Sequence, residues 1–373
     1  MVFPCSSPPS SRLAAFIRLS IAAVPTIAAL PALAQPVLNE IQVPSSVLSF
    51  TYGGSADGST AIGLAVRLPS PSEGFRWTSD EGSHFFQAPA DVNIIRPTGI
   101  SGNGTVVVGS ASLNQSIGGF RWTQAGGVVP IPDVSPLDIS DSGLYEIGVT
   151  LQTGQPYRWS QAGGYQYLSA SEGSATSISA DGSIVVGTQS GLPGSGWRWT
   201  QQQGIQPLGP LPAGWNASTP ADISPDGSVI VGSFTRTQDA EQLAYRWTQD
   251  QGYEILAAFP GSIPTTPNSV AADGRTIVGY GVLNGERFAV IWLPDGSIHR
   301  MDDFLASLGT DTTDWSELHD ATAISDDGLT IIGNGRHGLR GVEGWTVHVP
   351  SPTSAMVLMV LALPRARRAR FAN

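Results

Sequence analysis

A two-part repeat recurs seven times along the chain and constrains the fold more than any other feature. Its first half is a Ser-x-Asp-Gly turn, a β-branched run and a glycine, and its second half is an aromatic-Arg-Trp-Thr segment. Residues 177–200, SISADGSIVVGTQSGLPGSGWRWT, are the clearest copy. Self-similarity with a period of about 40 residues is typical of repeat folds such as propellers. The marker glycines are Gly63, Gly109, Gly148, Gly187, Gly232, Gly279 and Gly333, and the marker tryptophans are Trp77, Trp122, Trp159, Trp199, Trp247, Trp292 and Trp345.

Each repeat unit predicts four short strands. In the clearest copy, residues 175–179, 183–186, 197–200 and 205–208 are short apolar or alternating segments separated by turn residues. Asp181-Gly182 supplies the positive φ values that a tight hairpin needs. Four antiparallel strands every 40-odd residues are the pattern of a propeller blade, which cannot bury both of its faces alone.

The two ends of the repeat array predict that the ring is closed. The last unit stops after Trp345 without a fourth strand, and residues 37–43, VLNEIQV, resemble a fourth strand ahead of the first unit. The sequence therefore predicts an all-β, seven-bladed β-propeller over residues 35–349, whose last blade is completed by residues 37–43. Closure removes free sheet edges that would promote aggregation.

Two units depart from the pattern. The third has Asp141-Ser142-Gly143 where most others have Asp-Gly, which predicts a hairpin that is one residue longer. Between the sixth and seventh units lies an insertion, residues 302–316. It predicts one or two helical turns with Asp302 or Asp303 as the N-cap and Gly309 as the C-terminal stop.

Residues 1–34 and 350–373 are expected to direct export rather than to fold. Arg12 and Arg18 precede an apolar stretch from Leu19 to Leu30, and Ala32-Leu33-Ala34 fits the cleavage site of a secretory signal peptide. The only cysteine, Cys5, lies in this segment, so the mature chain would have no thiol chemistry. At the other end, VPSPTSAMVLMVLALPRARRAR resembles the PEP-CTERM sorting tails of Gram-negative bacteria. That resemblance implies a secreted or surface-displayed protein with a transient membrane association through the tail.

The charge of the mature chain argues against nucleic acid as a partner. Without both ends the chain has 13 arginines against 30 Asp and Glu residues, a net charge of −17. Such a surface repels a phosphate backbone and favours solubility outside the cell.

The repeats also resemble a bacterial extracellular family. The segments ATAISDDGLTIIG (residues 321–333) and GFRWT (residues 119–123) are similar to the HAF repeats. The resemblance implies a secreted propeller that often carries a sorting tail. The family has no established catalytic residues, so the resemblance assigns none here.

Two sets of repeated polar residues have competing interpretations. The Asp residues of the hairpins are either a ring of ligand carboxylates or plain turn residues, because Asp-Gly suits these hairpins. The Arg residues before the tryptophans are expected to meet acidic side chains or turn carbonyls of their own or the next blade, because a buried Arg needs such a partner; the alternative is an anion-binding set. These residues are Asp57, Asp181, Asp226, Asp273 and Asp327, and Arg76, Arg121, Arg158, Arg198 and Arg246.

The strongest candidates for ligand binding lie outside the repeat positions. Trp215 and Trp315 fall in the longer connections, which should open on the same face as the loops between the second and third strands. We call this the loop-rich face. Exposed aromatic rings beside carboxylates would suit a sugar, whereas the alternative is that each Trp fills a gap under its own loop. The candidate ligand-binding residues are Trp215, Trp315, Asp311, Asp314, Glu317 and His319.

No catalytic, cofactor or metal site is predicted. The five histidines form no metal-binding spacing, and phosphate loops, dinucleotide fingerprints and Ser-His-Asp contexts are missing from the sequence. The leading hypothesis is a non-enzymatic binding module for polysaccharide or protein in the cell envelope or extracellular matrix. Two alternatives stay open, namely a polysaccharide hydrolase or lyase on the same scaffold, and a purely structural surface protein whose partner is another copy of itself.

Overall fold

The fold is a closed ring of seven antiparallel sheets. A computed structural model describes residues 35–350, apart from residues 70–71, 88, 91, 114–115, 193, 237–240 and 339. These residues form seven four-stranded sheets, each of which packs on the next, and the first packs on the last. The predicted seven-bladed β-propeller is therefore confirmed. The predicted signal peptide, residues 1–34, and the predicted sorting tail beyond Pro350 lie outside the described residues.

The first four blades each consist of four consecutive strands. Blade 1 contains β2 (Leu48–Gly54), β3 (Thr60–Val66), β4 (Glu73–Thr78) and β5 (Gly82–Phe85). Blade 2 contains β6 (Val92–Ile100), β7 (Val106–Leu113), β8 (Ser116–Thr123) and β9 (Gly127–Pro132). Blade 3 contains β10 (Val134–Ile139), β11 (Tyr145–Thr150), β12 (Pro156–Ser160) and β13 (Gly164–Tyr167). Blade 4 contains β14 (Gly173–Ile178), β15 (Ile184–Gln189), β16 (Gly196–Thr200) and β17 (Gly204–Pro207).

The last three blades include the one that joins both ends of the chain. Blade 5 contains β18 (Ala217–Ile223), β19 (Val229–Arg236), β20 (Glu241–Thr248) and β21 (Gly252–Ile255). Blade 6 contains β22 (Thr265–Val270), β23 (Ile277–Leu283), β24 (Glu286–Trp292) and β25 (Ile298–Arg300). Blade 7 contains β26 (Trp315–Ile324), β27 (Thr330–His337), β28 (Val342–His348) and, as its outer strand, β1 (Leu38–Ile41).

The predicted latch is present. Strand β1 pairs antiparallel with β28, from Leu38 opposite Val347 to Ile41 opposite Gly344. Ile41 is fully buried in a core cluster that combines blades 7 and 1. The ring is therefore closed by the N-terminal strand, as the segment 37–43 predicts.

In six blades the marker glycine faces an aromatic ring of the next strand, and in blade 6 Gly279 faces Val290. A Cβ on Gly187 would lie 2.6 Å from the Trp197 ring and 2.0 Å from the Ser174 carbonyl oxygen. The first six marker tryptophans pair with the residue two before the marker glycine, as Trp199 does with Val185. Trp345 was expected to be the seventh of these, but it pairs with Gly333 itself. That assignment was wrong, because Trp345 fills the slot that Trp197 has in blade 4.

The hairpin after each inner strand follows one design. In blade 4 the Ser179 carbonyl accepts a 2.8 Å bond from the Gly182 amide, and in blade 3 the Ser140 carbonyl accepts an equal bond from Gly143. The predicted longer hairpin in blade 3 is therefore wrong. Ser142 occupies the position that Asp181 has in blade 4, and Asp141 occupies the preceding one.

Every inner strand also contains a β-bulge. The pairing register slips by one residue in each blade, and in blade 3 the slip falls between Pro136 and Asp138. A bulge bends the strand and redirects its side chains. The slips that the seven blades share fall between residues 51 and 53, 97 and 99, 136 and 138, 175 and 177, 220 and 222, 267 and 269, and 321 and 323. Strand β6 has one further slip and β26 has two.

The insertion before blade 7 forms the helix α1 (Met301–Ser307). Its N-cap is Arg300, so the prediction of Asp302 or Asp303 as the cap was wrong. Both aspartates lie in the first turn, where negative charge favours a helix N-terminus. Gly309 has φ of 83° and ends the helix as predicted. Among the described residues, no helix is long and apolar enough to cross a membrane.

Candidate binding site

The two candidate tryptophans are packed under their own loops. Trp315 begins β26 and is 8% exposed, and its ring stacks on His337 with 4.6 Å between centroids. Trp215 is half-buried, with its ring 5.6 Å from that of Phe234 and the Arg236 guanidinium 5.5 Å from its centroid. They belong to blades 7 and 5, which blade 6 separates. The structure therefore does not bring them together as one exposed platform, and it favours the interpretation that each ring fills a gap.

The other candidate residues lie in two settings. Asp311 and Asp314 are exposed in the loop before β26, where the Asp311 carboxylate accepts bonds of 2.9 and 2.7 Å from the Thr313 amide and hydroxyl. These bonds lower the pKa of Asp311, the backbone one contributing most. Glu317 and His319 are half-buried on β26, with 2.9 Å between Glu317 Oε2 and His319 Nε2.

Glu317 and His319 line a pocket of about 320 Å³ between blades 6, 7 and 1. Asp320 lies beside them, where it is 3.5 Å from Arg287 and accepts a 3.0 Å bond from Asn334 Nδ2. Burial raises the pKa of Asp320, and its bond to Asn334 and the charge of Arg287 oppose that rise. The pocket thus presents both charge signs and a carboxylate-oriented imidazole to any ligand.

A second groove, of about 420 Å³, lies on the loop-rich face of blade 3. Tyr165 and Tyr167 are two residues apart on β13, so they share one face of that outer strand. They are 39% and 60% exposed. Gln152 Nε2 donates a 3.1 Å bond to Asp133 across the floor of this groove. This groove therefore combines two exposed aromatic rings with amide and carboxylate groups, which is the kind of site that the sequence predicts around Trp215 and Trp315.

The Tyr165 hydroxyl is held in its protonated form. Burial of part of the side chain, together with the nearby carboxylate of Glu146, raises the pKa of Tyr165 to about 12. Its ring packs edge-on against Tyr157, with 5.2 Å between the centroids. One ring is thereby fixed, while Tyr167 beside it stays open to solvent.

Sequence reasoning missed this tyrosine pair although a signal was present. The outer strand of blade 3 reads Gly-Tyr-Gln-Tyr, with Tyr165 opposite Trp159 and Tyr167 opposite Tyr157. In blade 4 the same two positions hold Ile205 and Pro207. Of these two blades, only blade 3 has aromatic residues at both outer-strand positions, and an alignment of the outer strands shows this difference.

The hairpin aspartates are turn residues, as the plainer interpretation held. Asp181 accepts bonds from the Ser183 amide at 2.9 Å and from the Ser179 hydroxyl at 2.8 Å. Asp226 and Asp327 accept the same pair of bonds. Their carboxylates are engaged in shaping the hairpins, which leaves little reason to regard them as a ligand ring.

Four other aspartates line the central channel instead. A cavity of about 120 Å³ is bounded by residues of all seven blades, including Asp138, Asp141, Asp222 and Asp326. The Ser177 hydroxyl lies between two of them, 3.2 Å from Asp138 and 2.9 Å from Asp222. Burial and the charge of Asp222 raise the pKa of Asp138 to about 7. Asp138 and Asp222 directly follow the bulges of their strands, at the repeat position that Ser177 has in blade 4.

Three of the five repeated arginines have the predicted partners. Arg76 donates to the Gly104 carbonyl and Arg246 donates to the Gly274 carbonyl, each in a turn of the next blade. Each arginine also pairs with a glutamate of its own blade. Arg121 donates 2.7 Å to the Gly143 carbonyl and lies 3.3 Å from Glu146. These contacts tie neighbouring blades together.

The other two arginines differ from the prediction. Arg158 places its guanidinium over Tyr145, 4.1 Å from the ring centroid, and 5.3 Å from that of Trp199 in the next blade. Arg198 has no hydrogen bond or ion pair within the part of the chain that the structure describes, and burial lowers its pKa. An aromatic ring can therefore replace the anionic partner at this position.

Comparison with known proteins bears on the fold alone. No family model and no curated protein matches the chain. Among solved structures, an oligogalacturonate lyase in complex with manganese is 12% identical, with a TM-score of 0.58 over 86% of this chain and 94% of its own. The oligogalacturonate lyase from Vibrio parahaemolyticus is 9% identical, with a TM-score of 0.56 over 84% and 93%. The β-propeller domain of the Trilobed protease from Pyrococcus furiosus is 8% identical, with a TM-score of 0.53 over 80% and 94%. These similarities show a propeller.

Proposed function

We propose that this protein is a secreted or surface-displayed propeller that binds polysaccharide without transforming it. The observation that carries the proposal is the open tyrosine pair of blade 3, Tyr165 and Tyr167, in a groove of about 420 Å³. Two exposed aromatic rings that share one strand face form a contiguous apolar patch, and such patches occur at ligand-binding grooves. Their flat apolar faces suit the C–H face of a sugar ring.

The polar groups around the tyrosines match sugar hydroxyls. Gln152, Gln155, Thr150 and Thr153 line the groove with amide and hydroxyl groups that can both donate and accept. Asp133 is the one carboxylate among the described residues that line it. Because glycoside hydrolysis needs two carboxyl groups across the scissile bond, this groove favours binding over catalysis. The acidic surface and the predicted export signals support a role outside the cell.

A glycan array tests the proposal. We expect the chain to bind a defined set of polysaccharides and the double variant Tyr165→Ala/Tyr167→Ala to lose about 10- to 100-fold in affinity, because each stacked ring contributes roughly 0.5–1.5 kcal/mol. Ile255→Ala is the matched control, because Ile255 is exposed and has the position of Tyr167 in blade 5. Equal binding by the double variant and the control would exclude this groove. No glycan bound by the wild-type chain would favour the purely structural alternative.

An enzyme acting on acidic polysaccharide is the second candidate, and the pocket of Glu317 and His319 favours it. A lyase needs a base to remove a proton and a cation to offset the uronate carboxylate, and His319 and Arg287 offer these groups in one pocket. Two proteins of similar fold are oligogalacturonate lyases. Incubation with oligogalacturonate decides between the candidates. Unsaturated product from the wild type and the exposed-site variant His84→Ala, but not from His319→Ala, would establish the lyase.

A further inference from the structure

Three side chains from both ends of the chain converge on one point in blade 7. They are Glu40 on β1, His337 at the end of β27 and Glu343 on β28. Nδ1 of His337 is 3.1 Å from Oε2 of Glu343 and 3.5 Å from Oε2 of Glu40. The three donor atoms all lie within 4.8 Å of one another. The three side chains are only 13–15% exposed.

The protons available cannot satisfy all of these contacts. Nδ1 of His337 carries at most one hydrogen, so it can donate to one of the two carboxylates. Arg340 Nη2 lies 2.9 Å from the same Nδ1, and a bond from this donor requires a bare nitrogen lone pair. Oε1 of Glu343 is 3.9 Å from Arg340 Nη1, which is too far for a hydrogen bond. Two carboxylates and one imidazole nitrogen thus lie close together with too few protons for all of their contacts.

The spacing of the donor atoms matches a tetrahedral metal ion. Zn²⁺ binds imidazole nitrogen and carboxylate oxygen at roughly 2.0–2.2 Å, which places tetrahedral ligand atoms about 3.3–3.6 Å apart. The observed separation of 3.5 Å from Nδ1 to Glu40 falls in that range, and the separation of 3.1 Å to Glu343 lies just below it. One imidazole with two carboxylates is a donor set that suits a borderline-soft dication such as Zn²⁺.

In the structure, the Arg340 guanidinium supplies the positive charge beside these carboxylates. Its guanidinium donates bonds of 3.0 and 3.1 Å to the two oxygens of Glu40, yet its side chain is 57% exposed. It lies on the turn between Gly338 and Gly341, which both have positive φ. More than half of the Arg340 side chain is thus open to solvent, whereas the three donor side chains are largely buried.

The imidazole is held in position from its other side. Trp315 stacks on His337 with an angle of 25° between the rings. This contact gives the buried Trp315 a role that differs from the sugar platform predicted for it. A ring fixed in this way loses little freedom on binding a metal.

We propose that Glu40, His337 and Glu343 form a Zn²⁺ site that clamps the N-terminal strand to the last blade, and that the Arg340 guanidinium competes with the metal for it. Glu40 and Arg340 are separated by 300 residues, so the spacing of residues in the sequence could not reveal this group. A bound ion would link β1 to β27 and β28 across the closure of the ring.

Titration of the metal-free full chain with Zn²⁺ tests the proposal. We expect saturable binding at one site and a rise in Tm of about 3–5 °C at a hundredfold excess over Kd, because a ligand of the native state alone stabilises it. Arg340→Gln should tighten binding about tenfold or more, since it removes the competing cation. Glu343→Gln, which keeps the shape of the side chain, should weaken binding at least about 100-fold, as should His337→Ala.

His319→Ala is the matched control, because His319 also pairs with a glutamate on the same blade but lies outside the group. Its Zn²⁺ affinity should equal that of the wild type. The proposal is overturned if Arg340→Gln binds Zn²⁺ no more tightly than the wild type, or if Glu343→Gln and His319→Ala lose the same affinity. Co²⁺ gives an independent readout, because a tetrahedral site produces visible absorption that Arg340→Gln should strengthen and Glu343→Gln should abolish.

Discussion

Blades 3 and 4 are neighbours with the same four strands, but they differ at the positions where the repeat could serve a function. Blade 4 has Val185 facing Trp199, and blade 3 has the buried Glu146 facing Trp159. On the outer strands, Ile205 of blade 4 corresponds to Tyr165 of blade 3. The repeat therefore supplies the scaffold, and the blade that departs furthest from it carries the polar and aromatic groups that could act.

The channel shows the same contrast. Blade 4 contributes Ser177 and Ala180 to the central cavity, whereas blade 3 contributes Asp138 and Asp141 at the corresponding positions. A carboxylate in a narrow channel is costly unless it is hydrogen-bonded or protonated. A repeat unit that departs from the pattern is thus a candidate for function, because a departure that lowers stability needs a compensating benefit.

The largest expected effect tests what the two blades share. Gly187→Ala should lower the free energy of unfolding by about 3 kcal/mol or more, because the new Cβ would meet both a carbonyl oxygen and the Trp197 ring. Gly148→Ala should cost somewhat less, about 2–3 kcal/mol, because its Cβ would lie 2.2 Å from the Ser135 carbonyl oxygen without such a ring clash. Urea denaturation measures both.

Gly163→Ala is the control for these two variants. Gly163 lies in an exposed turn, where a Cβ would come no closer than 3.1 Å to Ser160 Oγ. The free energy of unfolding of Gly163→Ala should stay within about 0.5 kcal/mol of the wild-type value. A Gly187→Ala protein as stable as Gly163→Ala would show that the glycine does not provide the space for the ring.

A medium effect is expected where the blades differ most, at Glu146. Burial raises the pKa of Glu146 to about 7, against the partial compensation of Arg121. Because the folded-state pKa exceeds the unfolded value of 4.5, the stabilising contribution is complete below pH 4.5 and is lost as the pH rises through 7. Glu146→Gln should remove this loss, which amounts to about 1–3 kcal/mol between pH 4.5 and pH 8.

Thermal unfolding at a series of pH values measures this difference. The exposed Glu172→Gln is the control and should keep the pH profile of the wild type. Parallel profiles for wild type and Glu146→Gln would mean that Glu146 does not titrate in this window. The four channel aspartates would then have to explain any remaining slope.

The sequence predicted the scaffold well because the scaffold is local. Blades 1 to 6 are each one continuous stretch of chain, and the marker glycine recurs in sequence order. It faces an aromatic ring in every blade except blade 6, where Gly279 faces Val290. The errors arose where two residues of one type could fill alternative slots. Trp345 matched the spacing of the marker tryptophans but takes the position of Trp197, since strand register depends on pairing with Gly333 and not on residue type.

The candidate sites were harder to predict for two physical reasons. Exposure depends on packing, so Trp315 lies beneath His337 while Tyr167 in an ordinary repeat position is open to solvent. Closure of the ring also brings distant residues together, as it does for Glu40 and Glu343. Neither effect leaves a mark in a single repeat unit.

The smallest expected effect comes from exchanging the turn residues of the two blades. In blade 4, Asp181 accepts a 2.9 Å bond from the Ser183 amide, whereas in blade 3 the bond from the Leu144 amide to Ser142 Oγ is 3.4 Å long. Asp forms this turn more strongly than Ser. Asp181→Ser should therefore destabilise the protein by about 0.5 kcal/mol, and Ser142→Asp should stabilise it by a similar amount, as measured by Tm.

The neighbouring Asp141 opposes the second change, because a carboxylate at position 142 would add like charge beside it. Blade 7 shows that the arrangement is tolerated. Its turn already reads Ser325-Asp326-Asp327-Gly328, and there Asp327 accepts bonds from the Leu329 amide at 2.9 Å and from the Ser325 hydroxyl at 2.6 Å. A lower Tm for Ser142→Asp would mean that repulsion from the channel carboxylates outweighs the stabilisation gained from the stronger turn hydrogen bond. Blade 3 would then have lost its turn aspartate because of its acidic channel, and the two departures would have one cause.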